Sequence, residues 1–342
     1  MIILSDKSFR ENLFPFTHTR HTADIRIGIL TIREKWQMLT GEEISIDENE
    51  TGIFVAANII PTQENFELLL TDARKNISTQ ESAGVKIIKY PWHIFQYNDF
   101  ALRHDFALVT KGRKSQDLPE GTGSVNPENI FIEPGAKISY SILNADAGPI
   151  YIGADAEIME GNLIRGPFSL GAGSVLKMGS KVYGATTIGP GCVAGGEIKN
   201  SVLFAKSNKA HDGYLGDSVL GEWCNLGAGT SNSNVKNTGG NIAYKLGNDN
   251  ETVNAGNKAG LLMGDYSRSA INTSFNTGSV VGVCCNIFGE KMPDKYTENF
   301  TWGNERYIFE KALADIENWK KMKNNNLTEQ EFKNLQELYN QK

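Results

Sequence analysis

The chain has 342 residues, a net charge of −6 and no dense run of Lys or Arg, which argues against binding to a nucleic-acid backbone. Its 35 glycines make up roughly 10% of the residues against a typical ~7%, which indicates many tight turns inside ordered structure. No stretch is long and apolar enough for a membrane span, and the start lacks a signal-peptide pattern. We therefore expect a cytoplasmic protein that binds neither nucleic acid nor membrane.

The cysteines do not predict a disulfide framework or a zinc site. Four are present, Cys192 and Cys224 stand alone, and Cys284 and Cys285 are adjacent. They are too few and too irregularly spaced for paired bridges, and they form no C-x-x-C motif. We expect them to be reduced core residues in a cytosolic protein.

Residues 1–128 alternate strand and helix patterns, which predicts an α/β domain with a parallel-rich sheet. Thr62 is placed to cap a helix, and Pro91 fits a first helical position. The predicted strands are Met1–Leu4, Ile53–Ile60 and Val85–Tyr90. The predicted helices cover Gly28–Leu39, the segment that follows the Thr62 cap through Leu68–Leu70, and Trp92–Leu108.

Residues 129–290 carry a different pattern, in which an aliphatic residue recurs at every sixth position. Glycine follows this position at Gly153, Gly171 and Gly189, a spacing of eighteen. A period of six fits neither a helix nor a hairpin sandwich, but it is typical of a parallel β-helix with three faces per coil. One coil cannot bury its own inward side chains, so the coils must stack. The aliphatic positions are Ile152, Ile158, Ile164, Leu170, Leu176, Val182 and Ile188.

Two segments depart from this period. Residues 231–258 are rich in Asn and contain IAYKLGNDNETV, which predicts a hairpin projecting from the β-helix with GNDN as its turn. An inserted loop of this kind lies on the functional face or is a surface decoration. Residues 291–342 form a tail with helical patterns at Phe309–Met322 and Thr328–Tyr339, and Thr328 with Glu331 fits a capping box. These helices are placed to cap the open end of the β-helix.

Of the five histidines, only His211 lies in the repeat region, in the segment HDGYLGDSVLGEWCNLGAGTSNSN. A lone histidine is commonly a surface or core residue. A γ-class carbonic anhydrase shares the β-helix architecture, but its chemistry needs three histidines around a metal ion. A histidine can also deprotonate an amine that attacks a thioester, with Asn side chains or backbone N–H groups stabilising the oxyanion.

The segment around His211 resembles the acetyltransferase domain of the bifunctional N-acetylglucosamine-1-phosphate uridyltransferase/glucosamine-1-phosphate acetyltransferase family. The phrases FTHTRHTADIRIGILTIREKW, GPIYIGADAEIMEGNLIRGPFSLG and NIFGEKMPDKYTENFTWGN resemble the Bacteroidetes-type version of that family more closely, and together they cover about residues 1–303. The resemblance implies a left-handed parallel β-helix that forms a homotrimer, with acetyl-CoA bound between neighbouring subunits.

The resemblance also implies roles for individual residues. His211 matches the catalytic histidine, and Ala228 would line the acetyl-CoA site. Lys199 would hold the sugar phosphate, while Lys181 stands where the family has a phosphate-binding Arg. The remaining substrate-binding matches are Tyr214, Asn225, Asn234 and Lys258.

The N-terminal domain resembles a reduced sugar nucleotidyltransferase, which implies binding of UTP and Mg²⁺. Its first loop, SDKSFRENLFPFTHTR, has no Gly, but Arg10 and Arg20 stand in an Arg…Pro-x-Thr pattern. Arg20 and Arg26 are candidate bidentate phosphate ligands, or members of a salt-bridge cluster beside a helix. Asn58 stands where the family has a metal-binding Asp, and His93 replaces an Asp in YPWHIFQYND.

Three functional hypotheses follow. The first is acetyl transfer from acetyl-CoA to glucosamine-1-phosphate or a related amino-sugar phosphate, coupled to uridylyl transfer that forms UDP-GlcNAc. The second keeps only nucleotidyl transfer to a sugar-1-phosphate. The third is a catalytically silent trimer that binds a sugar nucleotide.

Overall fold

The computed structural model describes residues 1–247 and 251–341. In the N-terminal domain, strand β1 (Ile2–Ser5) lies between β2 (Ile44–Ser45) and β3 (Ile53–Ala56), and both neighbours run parallel to it. The predicted parallel sheet is confirmed. Its central strand β1 is buried, whereas Phe54 on the edge strand β3 is 45% exposed. The helices of this domain are α1 (Ile32–Thr40), α2 (Phe66–Arg74), α3 (His93–Gln96) and α4 (Asn98–Thr110).

Two local predictions for this domain were wrong. The helix predicted from Gly28 begins at Ile32, because Thr31 and Glu34 form a capping box there. Among the described residues 85–90 there is no strand, and two isolated bridges join Ile87 to Ile59 and Val85 to Ser82. The apolar residues of this segment are partly buried although the segment does not pair in a sheet. Their apolar character therefore led to a wrong strand prediction.

The second part of the chain is a parallel β-helix, whose strands in the described residues form three long sheets. Face 1 contains Gly123–Val125, Ile142–Asn144, Leu163–Arg165, Lys181–Tyr183, Glu197–Lys199 and Tyr214–Gly216. Face 2 contains Ile130–Ile132, Ile150–Ile152, Phe168–Leu170, Thr186–Ile188, Val202–Leu203, Val219–Leu220, Leu261–Met263, Ser279–Val281 and Tyr296–Thr297.

Face 3 closes the triangular coil and ends in an antiparallel pair. It contains Lys137–Ile138, Glu157–Ile158, Val175–Leu176, Val193–Ala194, Asn208–Lys209, Asn225–Leu226, Arg268–Ser269, Asn286–Ile287, Thr301–Trp302 and Glu305–Arg306. A shorter parallel pair, Ser231–Asn232 with Ser274–Phe275, lies beyond face 1. Strands thus extend from Gly123 to Arg306, whereas the domain boundaries at 128 and 290 stay an interpretation.

The period of six is confirmed by the interior of the β-helix. Every predicted aliphatic position from Ile152 to Ile188 is buried and belongs to one continuous core. Successive coils place like positions in register, for example Ile152 beside Leu170 and Leu170 beside Ile188. Each inward side chain contributes about 1.5–3 kcal/mol through burial, so stacking rather than local propensity stabilises the coil.

The glycines at eighteen-residue spacing are explained by close approach of successive coils. A Cβ atom on Gly171 would lie 2.5 Å from the backbone nitrogen of Pro190, and one on Gly153 would lie 2.6 Å from that of Ala172. At Gly189 it would lie 2.7 Å from the Leu203 carbonyl oxygen. Any side chain at these corners would therefore push the next coil away.

The insertion forms the predicted hairpin, and part of its described residues pack against the N-terminal domain. Ile242–Lys245 pairs antiparallel with Thr252–Gly256, and residues 248–250 of the predicted GNDN turn lie outside the described residues. Tyr244 is fully buried and stacks on Trp92 of the N-terminal domain, with 5.2 Å between ring centroids. The hairpin therefore lies between the two domains.

The outer side of face 2 packs against the N-terminal domain. Val202, Phe204 and Leu262 share one apolar cluster with the residues of the three-strand core around β1. Polar contacts cross the same boundary, since the Asn98 amide donates to the Ala185 carbonyl at 2.9 Å and the Thr187 hydroxyl donates to the Gly28 carbonyl at 2.9 Å. The N-terminal domain thus covers face 2 and leaves face 1 open.

The C-terminal helices are α5 (Phe309–Met322) and α6 (Glu329–Asn340). They were predicted to cap the open end of the β-helix, but they pack along its side. They cover a column of corner residues between faces 2 and 3, namely Trp223, Tyr266, Cys284 and Phe300. Burial of the apolar side chains in this column stabilises the packing of the two helices. The predicted capping box of Thr328 and Glu331 is confirmed.

The cysteine prediction also agrees with the structure, because Cys192, Cys224, Cys284 and Cys285 are all buried free thiols. Within residues 1–247 and 251–341, every helix is too short or too polar to cross a bilayer.

Candidate functional site

His211 lies at the corner where the chain passes from face 3 to face 1, between strands Asn208–Lys209 and Tyr214–Gly216. Its side chain is exposed, and no side chain in the described part of the protomer hydrogen-bonds the imidazole. The corner itself is tightly built, because a Cβ atom on Gly213 (φ +119°) would lie 2.1 Å from the Thr230 carbonyl oxygen. A fixed turn thus presents a free imidazole to solvent.

Lys209 holds this corner from inside the β-helix. Its buried ammonium donates to the Gly195 carbonyl at 3.0 Å and to the carbonyl of His211 itself. Burial lowers the pKa of Lys209 to about 8, an effect that the nearby Asp212 carboxylate partly opposes. Sequence reasoning missed this residue, because a Lys at an inward position breaks the apolar pattern.

Tyr214, Asn234 and Asp217 form a hydrogen-bonded group on the outer side of face 1. The Asn234 amide donates to the Tyr214 hydroxyl at 3.0 Å and also to the Asp217 carboxylate. Asp217 is buried and accepts a further hydrogen bond from the Asn200 amide at 2.6 Å. Burial, together with the Asp217 charge, raises the pKa of Tyr214, so its phenol stays protonated as a neutral donor.

Gly216 lies directly beside the Tyr214 ring of this group. A Cβ atom on Gly216 would lie 2.2 Å from the Tyr214 hydroxyl oxygen, so the Tyr214 ring leans over a position without a side chain. Asp217 was not among the predicted site residues, although it ends the YLGD motif. Asp217 holds Asn234 in place, and the two residues are 17 apart in sequence but adjacent in space.

The predicted phosphate ligand Lys199 lies on the same face, one coil below. Strand pairing aligns Lys181, Glu197 and Tyr214 in one outward column. Lys199 stands in the neighbouring outward column, between Tyr183 and Gly216. The Lys199 ammonium lies 5.6 Å from the Tyr183 ring centroid, and the Tyr183 hydroxyl donates to Glu197 at 2.6 Å. That hydrogen bond raises the pKa of Tyr183 to about 12.

Lys258 lies at the end of the insertion, and the fold brings that end to the site. The backbone N–H of Ala259 donates to the Asn234 carbonyl at 3.0 Å, and that of Gly260 donates to the Asp217 carbonyl at 2.8 Å. Lys258 is exposed next to these contacts. The hairpin thus begins and ends at the site while its body lies between the domains.

Asn225 and Ala228 lie on the other side of the His211 corner. Asn225 is on the outer side of face 3, where it accepts a hydrogen bond from the Asn208 amide at 3.3 Å. The Asn208 side chain also accepts from Lys323, just beyond α5, at 2.8 Å. Ala228 lies in the turn stacked above His211, where the Gly229 N–H donates to the Asp212 carbonyl at 3.0 Å. Within one protomer, Asn225 and Tyr214 therefore face different directions.

In the N-terminal domain, the loop after β1 (residues 6–21, the β1 loop) is organised around Asp6. Arg10 pairs with the Asp6 carboxylate at 2.9 Å, and Asp6 accepts further hydrogen bonds from the backbone N–H and the hydroxyl of Thr22 at 2.9 and 3.0 Å. Arg10 stays about one-third exposed. Of the predicted nucleotide ligands, Arg10 is the one that the structure leaves partly open at the end of β1.

Arg20 and Arg26 have structural partners. Arg20 is nearly buried and pairs with Asp265 and, at 3.2 Å, with Glu222, both on the β-helix. Arg26 bonds to the Ile29 carbonyl and pairs with Glu34 at 3.3 Å. The salt-bridge alternative of the sequence analysis therefore describes these contacts, and nucleotide binding by the two residues stays a prediction.

The N-terminal residues do not form a ready Mg²⁺ site. The buried Asn58 amide donates to the Ile88 carbonyl at 3.0 Å and holds the segment that crosses beneath it. Asp6, His21 and Glu48 have ligand atoms within 4.8 Å of one another. However, Arg10 already neutralises Asp6, and Lys7 pairs with Glu48 at 2.8 Å.

The tautomer of His21 also disfavours a metal site at Asp6, His21 and Glu48. Its Nδ1 accepts the Ala23 backbone N–H at 3.1 Å, so the neutral ring carries its hydrogen on Nε2, the nitrogen nearest Asp6. Burial lowers the pKa of His21 and favours this neutral form. A divalent cation would thus have to displace two ion pairs and change a tautomer.

Comparisons with known proteins agree with this geometry. The family model described as sugar nucleotidyl transferase matches residues 2–50 and 48–114. The Sulfurisphaera tokodaii protein named "Bifunctional sugar-1-phosphate nucleotidylyltransferase/acetyltransferase" is 32% identical over 250 residues, 70% of this chain and 55% of that protein. "Bifunctional protein GlmU" of Methanococcus maripaludis is 26% identical over 279 residues, 76% of this chain and 59% of that protein.

A further "Bifunctional protein GlmU", from Methanocaldococcus jannaschii, is 31% identical over 117 residues, 34% of this chain and 28% of that protein. The chain thus spans less than two thirds of the length of these curated relatives. The fold and the matches define a class of protein that joins a sugar-nucleotidyltransferase domain to a parallel β-helix. Within that class, the chain is similar to the bifunctional GlmU-type proteins named above.

Proposed function

We propose that the β-helix transfers the acetyl group of acetyl-CoA to the amine of glucosamine-1-phosphate or a related amino-sugar phosphate. The observation that carries this proposal is the His211 corner, where a free imidazole adjoins a face with the Tyr214 hydroxyl, the Asn234 amide and the Lys199 ammonium. The word acetyltransferase in the name of the Sulfurisphaera tokodaii relative supports the same chemistry. Glucosamine-1-phosphate itself comes from the family resemblance.

The residues suit the individual steps of acetyl transfer. Lys199, with Lys181 and Lys258, supplies positive charge for the sugar phosphate. His211 takes a proton from the amine, whose nitrogen then attacks the thioester carbonyl carbon. Backbone N–H groups of the glycine-rich corner or an Asn amide stabilise the oxyanion that forms. Collapse of this intermediate breaks the carbon–sulfur bond, yields the amide and releases coenzyme A, whose thiolate takes from His211 the proton that the amine lost.

We also propose that the active form is a homotrimer joined through face 1, with acetyl-CoA bound between protomers. The lower part of this face exposes apolar side chains, since Ile142 and Leu163 are each 50% exposed and Val125 is 45% exposed. Exposed apolar patches of this kind mark protein interfaces. A second copy would also bring its Asn225 side towards Tyr214 and supply a partner for the His211 ring.

For the N-terminal domain, the family-model match supports uridylyl transfer from UTP to N-acetylglucosamine-1-phosphate, which releases pyrophosphate and forms UDP-GlcNAc. One observation favours a second candidate, a domain that binds a sugar nucleotide without catalysis. Asn58, at the expected metal position, donates its amide to the Ile88 carbonyl. The carboxylates of Glu48 and Asp6 are already paired with Lys7 and Arg10. We assign no step of the reaction to Mg²⁺. A cytoplasmic location belongs to the proposal and is supported by four buried free thiols.

Acetyl transfer is tested by free thiol released from acetyl-CoA in the presence of glucosamine-1-phosphate, glucosamine or N-acetylglucosamine-1-phosphate. We expect release with the first, much less with glucosamine, which lacks the phosphate, and none with the third, whose amine is blocked. Lys199→Met should raise KM for glucosamine-1-phosphate by about tenfold and leave KM for acetyl-CoA unchanged. Equal background release with all three compounds would refute the proposal.

Uridylyl transfer is tested separately by pyrophosphate release from UTP and N-acetylglucosamine-1-phosphate. We expect release by the full chain, and at least a tenfold loss in Arg10→Gln, because Arg10 is the open cation at the end of β1. Binding of UTP without pyrophosphate release, in the presence of Mg²⁺, would instead support the non-catalytic candidate.

A further inference from the structure

Lys323, the residue that follows α5, is attached to the β-helix by three hydrogen bonds. Its ammonium donates to the carbonyls of Gly191 and Lys206 at 2.9 and 2.8 Å, and to the side-chain oxygen of Asn208 at 2.8 Å. Gly191 and Lys206 lie at the corner between faces 2 and 3 in two successive coils. The end of α5 is therefore fixed beside the outer side of face 3.

The contact with Lys323 determines which way the Asn208 amide faces. An ammonium group has three hydrogens to donate and no acceptor, and the three atoms that Lys323 contacts here are all oxygens. The Asn208 atom that faces Lys323 must therefore be Oδ1, which leaves Nδ2 on the other side of the amide. That Nδ2 donates to the Oδ1 atom of Asn225 at 3.3 Å, one coil further along face 3.

The orientation of the Asn225 amide follows from the same hydrogen bonds. Because its Oδ1 accepts from Asn208, its Nδ2 is left to donate elsewhere. The next residue in this column is Arg268, which also only donates, and its guanidinium lies 5.3 Å from the ring centroid of Trp319 on α5. In the described part of the protomer the Asn225 Nδ2 has no acceptor, and Asn225 is partly exposed. Asn225 thus presents a donor to a ligand beside face 3.

We propose that Lys323 is a positioning residue for the acetyl-transfer site, which acts through Asn208 so that Asn225 donates a hydrogen bond to an oxygen of the amino-sugar phosphate. The inference rests on the proposed acetyl transfer and deepens it, because it makes the C-terminal tail part of substrate recognition. A phosphate or hydroxyl oxygen fits this donor, whereas a protonated amine, which is itself a donor, does not.

The test is isothermal titration of the full-length chain with glucosamine-1-phosphate, alongside thiol release from acetyl-CoA. Asn208→Asp replaces the amide nitrogen of Asn208 with a second acceptor oxygen, so Asn225 must turn its own Nδ2 inward. We expect glucosamine-1-phosphate to bind about tenfold more weakly, because the donor is turned away from it. The new carboxylate pairs with Lys323, so the urea midpoint of unfolding should stay the same or rise. A residue that served the fold alone would not lose binding while it kept or gained stability.

Two changes at Lys323 test the cation itself. Lys323→Met lets both amides turn, so glucosamine-1-phosphate should bind about threefold more weakly, because only part of the molecules then present the donor. Lys323→Arg, which also only donates, should bind nearly as tightly as the wild type. Lys321→Met is the matched control, because it removes an equal charge from an exposed lysine that pairs with Glu317 on α5. It should bind as the wild type does.

The Asn225→Ala background separates positioning from charge. There, neither Asn208→Asp nor Lys323→Met should have a further effect on binding, because Lys323 acts through Asn225. The proposal is overturned if Asn208→Asp binds glucosamine-1-phosphate as the wild type does, or if it weakens binding equally in the Asn225→Ala background. If binding responds as expected but no thiol is released, acetyl transfer fails and the positioning role stands. Thiol release with an unaltered KM in Asn208→Asp would leave acetyl transfer standing and refute the positioning role.

Discussion

The β-helix and the N-terminal domain are stabilised in different ways. In the β-helix, an inward residue contacts the residue above and below it, as Leu170 does with Ile152 and Ile188. In the N-terminal domain, the β1 loop depends on partners far away in sequence, such as Asp265 for Arg20. Because the β-helix repeats a short pattern, its fold can be predicted from the sequence. The β1 loop of the N-terminal domain depends on contacts that form only once the whole chain has folded.

The largest expected effect is at the ion pair between the domains. Asp265 is buried and binds Arg20 and the Thr19 hydroxyl, so Asp265→Ala leaves a buried guanidinium with only the more distant Glu222. We expect a loss of ~4 kcal/mol in the free energy of unfolding, measured with urea. The control is Asp99→Ala, which removes an exposed partner of Arg103 and should cost less than ~1 kcal/mol. Equal losses would show that the domain junction does not depend on this pair.

The next effect concerns the repeat. Leu170→Ala removes a fully buried side chain from the interior of the β-helix and should cost ~3 kcal/mol, through lost burial and a cavity. Leu163→Ala is the matched control on the outer side of face 1. It should change the unfolding of a monomer little, but it should weaken the trimer, as seen by sedimentation velocity. An unchanged oligomer would exclude the Leu163 patch from the subunit interface.

Lys209 should give the β-helix an unusual alkaline dependence. Its folded pKa is about 8 and its unfolded value is 10.5, so from pH 8 to pH 10.5 the unfolded state holds more of this proton. The stabilising contribution therefore rises with pH in this window and is lost as pH falls through 8. The free energy of unfolding of the wild type relative to Lys209→Met should increase by ~2 kcal/mol between pH 7 and pH 10. Lys137→Met, on the exposed outer side of face 3, should show no such rise.

The smallest effect is expected at His18 in the β1 loop. Burial, with a smaller contribution from Arg10, lowers the pKa of His18 from 6.5 to about 4. Its stabilising contribution is complete above pH 6.5 and is lost as pH falls through 4, because the unfolded state binds the proton first. Relative to His18→Phe, which preserves the stacking on Phe14, the wild type should lose ~1 kcal/mol between pH 7 and pH 5.5. A constant difference would show that His18 is not buried as a neutral ring.

The sequence predicted the β-helix well, because its six-residue period directly reflects which side chains point inward. It also predicted the insertion as a hairpin, from a turn sequence between two apolar strands. Its position between the domains could not be predicted, since it depends on Tyr244 stacking on Trp92, residues that are distant in sequence. For the same reason the helical tail was assigned to the open end instead of the Trp223–Phe300 column.

The candidate site shows the same limit. Motif spacing predicted that His211, Tyr214 and Asn234 belong to one site, and the structure adds the hydrogen bonds that join Asn234 to Tyr214 and to Asp217. For the N-terminal domain, phosphate binding by Arg10, Arg20 and Arg26 stays a prediction, and the sequence did not reveal the ion pairs that these residues form. The burial of Arg20 against Asp265 arises from long-range packing that no local motif encodes.

The claim that the His211 corner is the acetyl-transfer site is tested most directly by His211→Ala, assayed for both proposed activities in one preparation. We predict that kcat/KM for thiol release from acetyl-CoA with glucosamine-1-phosphate falls ~10²–10⁴-fold, the usual contribution of a general base. Binding of UTP by the same preparation should equal that of the wild type, which shows that the fold is intact. Thiol release at the wild-type rate in His211→Ala would contradict the account.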